Sequence, residues 1–176
     1  MRRVLYSVAM SLDGYIAGPG GEFDWIPQDP SMDWGAFMGR FDTMLMGRGT
    51  YEVALRQGET GAMSGMRTYV FSRTLRASDH PKVTIVGDGA AAVVNGLRNA
   101  PGKIIWLMGG GVLFRSLLEA GLVDVVEVGL VPILLGQGIP LLSPGPSKAK
   151  RLTLRDQKTY PTGILRLTYD VAGTRG

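Results

Sequence analysis

Residues 103–121 read KIIWLMGGGVLFRSLLEAG. A short apolar run, 104–108, breaks at Gly109, Gly110 and Gly111, then resumes with Val112, Leu113, Leu117 and Leu118 at helical spacing. The pattern predicts a buried strand, a glycine turn and an amphipathic helix. At such a junction the first backbone N–H groups of the helix lack partners within it, and the positive end of the helix dipole lies beside them, which suits a phosphate. Glycine also leaves the main chain open to close approach. The same residues serve equally well as a tight connection with no ligand. The turn reads G-x-G-x-x-F, which fails the dinucleotide fingerprint of doubly wound folds, and it lacks the Gly-Lys-Ser/Thr of a P-loop.

Working outward, other strand ends carry similar groups. The apolar segment 43–46 runs into Gly47-Arg48-Gly49-Thr50, and 67–71 runs into Ser72-Arg73. In each, a guanidinium and a hydroxyl follow a predicted strand; they fit a phosphate, or else a helix cap beside a solvated arginine. Residues 4–10 form a first strand ending in the turn Ser11-Leu12-Asp13-Gly14, followed by a short return, Tyr15-Ile16-Ala17. A glycine- and proline-bearing loop with Phe23, Trp25 and Ile26 leads to Ser31, the expected N-cap of a helix over 32–41. Further strands are expected at 83–86 and 122–131, with an alanine-rich helix to residue 99 between them. Residues 150–156 and 164–171 alternate at period two and read as a C-terminal antiparallel pair. The fold class is therefore α/β, three layers with a mixed, mostly parallel sheet and antiparallel strands at its end, in one domain over 1–173 with a tail at 174–176.

The 176 residues include no cysteine and one histidine, which excludes disulfides, thiolate chemistry and His-rich metal sites, so no metal is expected. His80 precedes Pro81 and reads as a solvated turn residue. The net charge of +4 is spread out, with no block of five or six basic residues, so nucleic acid is not an expected partner. No signal peptide or membrane-length apolar run is evident. The expected location is cytoplasmic.

Ligands of open α/β sheets bind at the carboxyl ends of the strands. Three such ends with anion-suited groups imply a ligand with more than one phosphate, and NADPH, with a pyrophosphate and a 2′-phosphate, fits. Hydride transfer asks the protein mainly for orientation and electrostatics.

The motifs also carry a resemblance. Ser11-Leu12-Asp13-Gly14-Tyr15-Ile16-Ala17, Met46-Gly47-Arg48-Gly49-Thr50-Tyr51-Glu52, Phe71-Ser72-Arg73, Met108-Gly109-Gly110-Gly111 and the segment 132–142, PILLGQGIPLL, occur in the order found in the dihydrofolate reductase superfamily. Across nearly its whole length the chain most resembles stand-alone proteins similar to the reductase domain of bifunctional riboflavin-biosynthesis enzymes. The resemblance implies NADPH as hydride donor and a pteridine, pyrimidine or related heterocycle as acceptor. It places Arg48, Thr50, Ser72 and Arg73 at the adenosine end, with Gly47 also among the cofactor-binding residues. Gly109, Gly110, Gly111, Val112 and Leu113 fall at the pyrophosphate, and Ala9, Ile16 and Ala17 beside the nicotinamide. It also implies a homodimer, with 122–142 available as its interface.

The proton donor stays open. Asp33, at the start of the expected 32–41 helix, matches the position of the family's carboxylate; Asp29 and Asp24 compete with it, and Asp33 reads equally as a helix-terminal residue favoured by the dipole. Asp13 is either a substrate contact or a turn aspartate bonded to its own backbone. The alternative to a reductase is a non-catalytic nucleotide-binding or sensor protein on the same fold. No deaminase segment precedes the domain in this chain, so a stand-alone protein is expected.

Overall fold

A computed structural model describes residues 1–58, 61–63, 65–146 and 149–173. Parts of the expected 57–65 loop, Lys148 and the 174–176 tail lie outside the described residues. In chain order the elements are β1 (Val4–Ser11), β2 (Tyr15–Ala17), α1 (Trp34–Met38), β3 (Phe41–Gly47), α2 (Arg48–Arg56), β4 (Arg67–Phe71), β5 (Thr84–Val86), α3 (Ala90–Asn99), β6 (Ile104–Gly109), α4 (Gly111–Glu119), β7 (Val125–Val131), β8 (Ile139–Pro140), β9 (Leu152–Thr159) and β10 (Leu165–Val171).

The described strands form an eight-stranded sheet in the order β5-β4-β3-β6-β1-β7-β10-β9. From β5 to β7 every pairing is parallel, whereas β10 runs antiparallel to β7 and β9. Central parallel strands are covered on both faces, and β1 shows why its sequence suits that: successive residues face opposite layers. Val4 and Tyr6 pack with Val94 and Leu97 of α3 and with Leu113, Phe114 and Leu117 of α4. Leu5 packs on the other face with Met44, Met46, Trp106 and Tyr51 of α2, against Phe37 and Met38 of α1. The result is the three-layer arrangement expected from the alternating pattern.

Several local features differ from expectation. The 32–41 helix shrinks to the five residues of α1, and its cap is Asp33, whose carboxylate accepts from Ala36 N at 2.8 Å. Gly35 and Gly39 are poor helix formers, and Phe41 is drawn into the sheet, stacked on Trp106 at 5.4 Å. Ser31, the expected cap, instead donates to Asp29. The Tyr15–Ala17 return pairs with β8 in a separate two-stranded sheet, which sequence periodicity could not foretell.

His80 is half-buried rather than solvated; its Nδ1 lies 3.0 Å from Tyr51 Oη, and the rings meet edge to face. Within the 122–142 segment, residues 122–128 are buried, while 132–142 are half-buried or exposed. Among the described residues no helix is long and apolar enough to cross a membrane.

Candidate active site

Parallel strands ending on one side of the sheet bring their following turns together. Here the ends of β3, β4, β5 and β6 open into one cleft of about 1270 Å³. A single small-molecule site is usually roughly 300–1,000 Å³, so the cleft has room for more than one ligand. The three junctions read from the sequence all line it: Gly47, Arg48 and Thr50; Ser72 and Arg73; and Gly109 through Leu113. A fourth, Gly87-Asp88-Gly89 after β5, joins them. The junctions touch one another. A side chain at Gly109 would lie 3.2 Å from Thr50 Oγ1, and one at Gly47 would lie 3.7 Å from Gly110 N. Arg48 Nη1 donates to Thr74 Oγ1 at 2.9 Å, tying the turn after β3 to the turn after β4.

Each junction is built from its own backbone chemistry. Gly110 caps α4 with no side-chain hydrogen bond, so the first N–H groups of that helix remain open beside the cleft. Gly109 has φ +150°, a backbone region that glycine favours. Gly111 is closed to any side chain, because a Cβ there would meet Pro140 O at 2.6 Å and Ser143 Oγ at 2.9 Å. The Ser72 hydroxyl accepts from Thr74 N and Leu75 N, both at 3.2 Å, which fixes the turn that presents Arg73. Arg48 is held by Glu52 at 3.3 Å as well as by Thr74, whereas Arg73 is exposed. Among the described residues, five cationic side chains and three carboxylates line the cleft, a balance that favours an anion.

Ala9, Ile16 and Ala17 line the same cleft further along the sheet, towards β7 and β10. Beyond them the character changes. Trp106, Phe37, Trp34 and Tyr160 supply aromatic walls, and Arg40, Lys158, Arg166 and Glu127 supply charge. Trp106 Nε1 donates to Ser7 O at 3.0 Å, which fixes the indole on the floor.

The candidate acids separate. Asp33 lines the cleft at its rim, exposed, with one carboxylate oxygen engaged as the α1 cap. Asp13 is not among the lining residues. It accepts from Ser11 Oγ at 2.6 Å, Leu135 N at 3.1 Å and Gly136 N at 2.7 Å, so it latches the first turn to the 134–136 segment. These bonds, that from Ser11 foremost, hold its carboxyl below the usual aspartate range. Asp29 is buried away from the lining, accepting from Ser31 and Thr162, whose hydroxyls pull its carboxyl down to about 2. Asp24 is exposed and is not a lining residue either.

One carboxylate on the floor was not singled out from the sequence. Glu127 of β7 is 5% exposed and lines the cleft. It accepts from Ser7 Oγ at 3.0 Å, from Thr168 Oγ1 at 3.2 Å and from Arg40 at 3.2–3.5 Å. The signal was present as a lone charge inside VVEVGLV, since an ionised group inside a β-branched strand must be paired or used. Its partners come from three other parts of the chain, so no local motif announces them.

Comparison with known proteins agrees with this architecture. The sequence profile of the RibD C-terminal domain matches residues 2–166. An uncharacterised protein of Bacillus subtilis (strain 168), YyaP, is 33% identical over 181 residues, covering 96% of this chain and 94% of its own. The crystal structure of a candidate riboflavin biosynthesis protein from Shewanella sp. PV-4 superposes with a TM-score of 0.80 at 28% identity, covering 95% of this chain and 97% of that one. Dihydrofolate reductase from Enterococcus faecalis, solved with NADP(H) and RAB-propyl, shares the fold with a TM-score of 0.67 at 17% identity, covering 97% of this chain and 96% of that one.

Proposed function

The chain belongs to the RibD C-terminal domain family, and on that footing we propose that it is an NADPH-dependent reductase acting on a pteridine, pyrimidine or related heterocycle. The observation that carries the reading is the meeting of separate strand-end turns in one cleft whose opposite end is aromatic. Their chemistry fits the cofactor. The uncapped start of α4 offers N–H groups to a pyrophosphate, and the glycines before it leave those groups uncovered. Arg73, exposed beside the fixed Ser72 turn, suits the 2′-phosphate, with Arg48 and Thr50 from the neighbouring junction. Ala9, Ile16 and Ala17 are small or apolar and suit the face of a nicotinamide. The dihydrofolate reductase of the same fold was solved with NADP(H), which supports the choice.

When bound, NADPH supplies the hydride. The protein positions the acceptor ring against it, and its aromatic walls exclude water. Asp33, at the open rim, is the acid best placed to exchange a proton with solvent; Asp13 acts on the site only by holding the 134–136 segment. We place the protein in the cytoplasm as a homodimer. β9 supports that, since it ends the sheet, is exposed along its length and presents Leu152 and Leu154. Sedimentation of the wild type against a Leu154→Lys variant tests it, and a monomeric wild type would refute it.

The test of function is direct. The protein is incubated with NADPH and a panel of pterins and ribitylaminopyrimidines, and loss of the reduced-nicotinamide absorbance is followed. Oxidation dependent on one ring class is expected. Thermal stabilisation by NADPH without oxidation on any ring would mark a nucleotide-binding protein that does not turn over.

A further inference from the structure

Resting on the reductase reading, we infer that Glu127 is the group that grips the substrate ring, through adjacent N–H donors on the ring's edge. The sheet register shows why. Ser7, Glu127 and Thr168 stand directly opposite one another on β1, β7 and β10, forming a polar rung across the sheet. Two residues further along, the next rung reads Ala9, Gly129, Arg166 and Lys158. Ala9 and Gly129 leave a shelf with almost no side chain. Crowding does not require the glycine, since a Cβ there would make only ordinary contacts, 3.7 Å to Ile164 Cγ2 and 3.9 Å to Ala9 Cα. A flat ring on that shelf has the Glu127 carboxylate along one edge and the indole of Trp106 in the same floor.

Stability does not account for Glu127. Burying a carboxylate is costly even when it is paired, and a well-packed hydrophobic residue usually does as well or better. Its main charged partner is loosely held. The Arg40 contacts of 3.2–3.5 Å exceed the roughly 2.7–2.9 Å of a strong charge-assisted bond, and the Arg40 side chain is one-third exposed, lying over Phe37 and Phe41. A ligand with two converging N–H donors can take its place without leaving the carboxylate unpaired. Asp33 is a poorer candidate, being exposed and committed to Ala36 N.

The second recognition point lies across the shelf. Arg166 donates through Nη2 to Asp156 at 2.7 Å, while its buried Nε has no partner among the described residues. That donor suits a ring carbonyl or an anionic substituent, with Lys158 beside it in register. The ligand class is therefore an aminopyrimidine or aminopteridine whose ring N–H and exocyclic amine face Glu127 and whose oxygen-bearing side faces Arg166. The charged groups around Glu127 are Arg40 from the α1–β3 turn, Arg166 of β10, Asp156 and Lys158 of β9, and Asp33 at the rim.

The probe is 2,4-diaminopteridine, titrated by tryptophan fluorescence into wild type, Glu127→Gln and, as a control outside the cleft, Asp24→Asn, with NADPH titrated in parallel and melting curves recorded. Glu127→Gln is expected to weaken the probe by about tenfold or more, with NADPH affinity unchanged, and Asp24→Asn to leave probe binding at wild type. A readout on the unaltered protein stands apart from any folding defect. The bound probe is expected to keep the ultraviolet spectrum of its cation at a pH where the free ring is neutral. Wild-type failure to bind the probe, binding of its neutral form, or a folded Glu127→Gln variant that binds as tightly as wild type overturns the inference. Failure of the wild type to bind NADPH would instead overturn the reductase reading.

Discussion

Gly111 is the residue where the cleft and the core constrain each other most tightly. Its missing Cβ lets the start of α4 lie against Pro140 and Ser143. Gly111→Ala therefore overpacks backbone against backbone and is expected to cost about 1–3 kcal/mol, read as a lower denaturant midpoint; an unchanged midpoint would mean the segment moves aside freely.

Asp33 presents the reverse case. Asparagine caps a helix about as well as aspartate, so Asp33→Asn is expected to keep the melting temperature, while Asp33→Ala loses about 0.5–1 kcal/mol. If Asp33 delivers the proton, Asp33→Asn also lowers kcat with NADPH affinity intact.

Asp29 sets a pH dependence. Its folded pKa of about 2 lies below the ~3.9 of an unfolded aspartate. Its contribution to stability is therefore present above about pH 4 and lost as pH falls through about 2. The melting temperatures of wild type and Asp29→Asn should differ by several degrees at neutral pH and converge in strong acid; a constant gap would contradict this. At this scale the sequence was legible wherever residues act locally. Arg48, Thr50, Ser72, Arg73 and the three glycines announce themselves by following a predicted strand. Glu127 did not, because Ser7, Arg40 and Thr168 reach it from 120, 87 and 41 positions away.

At the scale of elements, the start of β7 is fastened by a buried ion pair. Asp124 accepts from Arg98 of α3 at 2.8 Å and from Val4 N of β1 at 2.7 Å, so one carboxylate joins a helix to two central strands. Both side chains are over nine-tenths buried. Arg98→Leu leaves Asp124 without its counter-charge and is expected to cost about 3–5 kcal/mol by chemical denaturation; a loss below 1 kcal/mol would show that water or another donor takes the place of Arg98. The strand expected from residue 122 begins at Val125, and Asp124 just before it already bonds through its backbone to both neighbours, Asp124 N to Val4 O and Val171 N to Asp124 O, each at 3.0 Å. Strand existence was legible from β-branched runs, because a strand buried on both faces needs them continuously. Helix length was less so. The apolar spacing of Trp34, Phe37, Met38 and Phe41 is that of a helix, yet the aromatic stack of Phe41 on Trp106 belongs to the sheet, and tertiary packing outweighs propensity in so short a segment. The pairing of β2 with β8 joins residues more than 120 apart and leaves no mark in either segment alone.

For the molecule as a whole, the parallel order of β3 to β6 turns a set of sequence motifs into a site. The motifs span residues 47–113, but parallel strands deliver each following turn to the same edge, so distance along the chain becomes proximity in the cleft. That convergence was the central expectation from sequence, and it rests on an elementary rule of open sheets. What the rule did not supply is the far end of the cleft, where the antiparallel strands β9 and β10 contribute Lys158 and Arg166 to the wall. Arg166 fell in the expected 164–171 strand and Lys158 just past the expected 150–156 strand, and only the pairing of β10 with β7 and β9 carries both to the cleft.

In the proposed function, the turns after β3 and β4 grip the phosphate that distinguishes NADPH from NADH. The measurement is calorimetric titration of both dinucleotides into wild type, Arg48→Ala and Arg73→Ala. Loss of a charged hydrogen bond costs about 1.5–3 kcal/mol, so NADPH should bind each variant roughly ten- to a hundredfold more weakly while NADH affinity stays level. Equal losses for both dinucleotides, or none for either, would contradict the account.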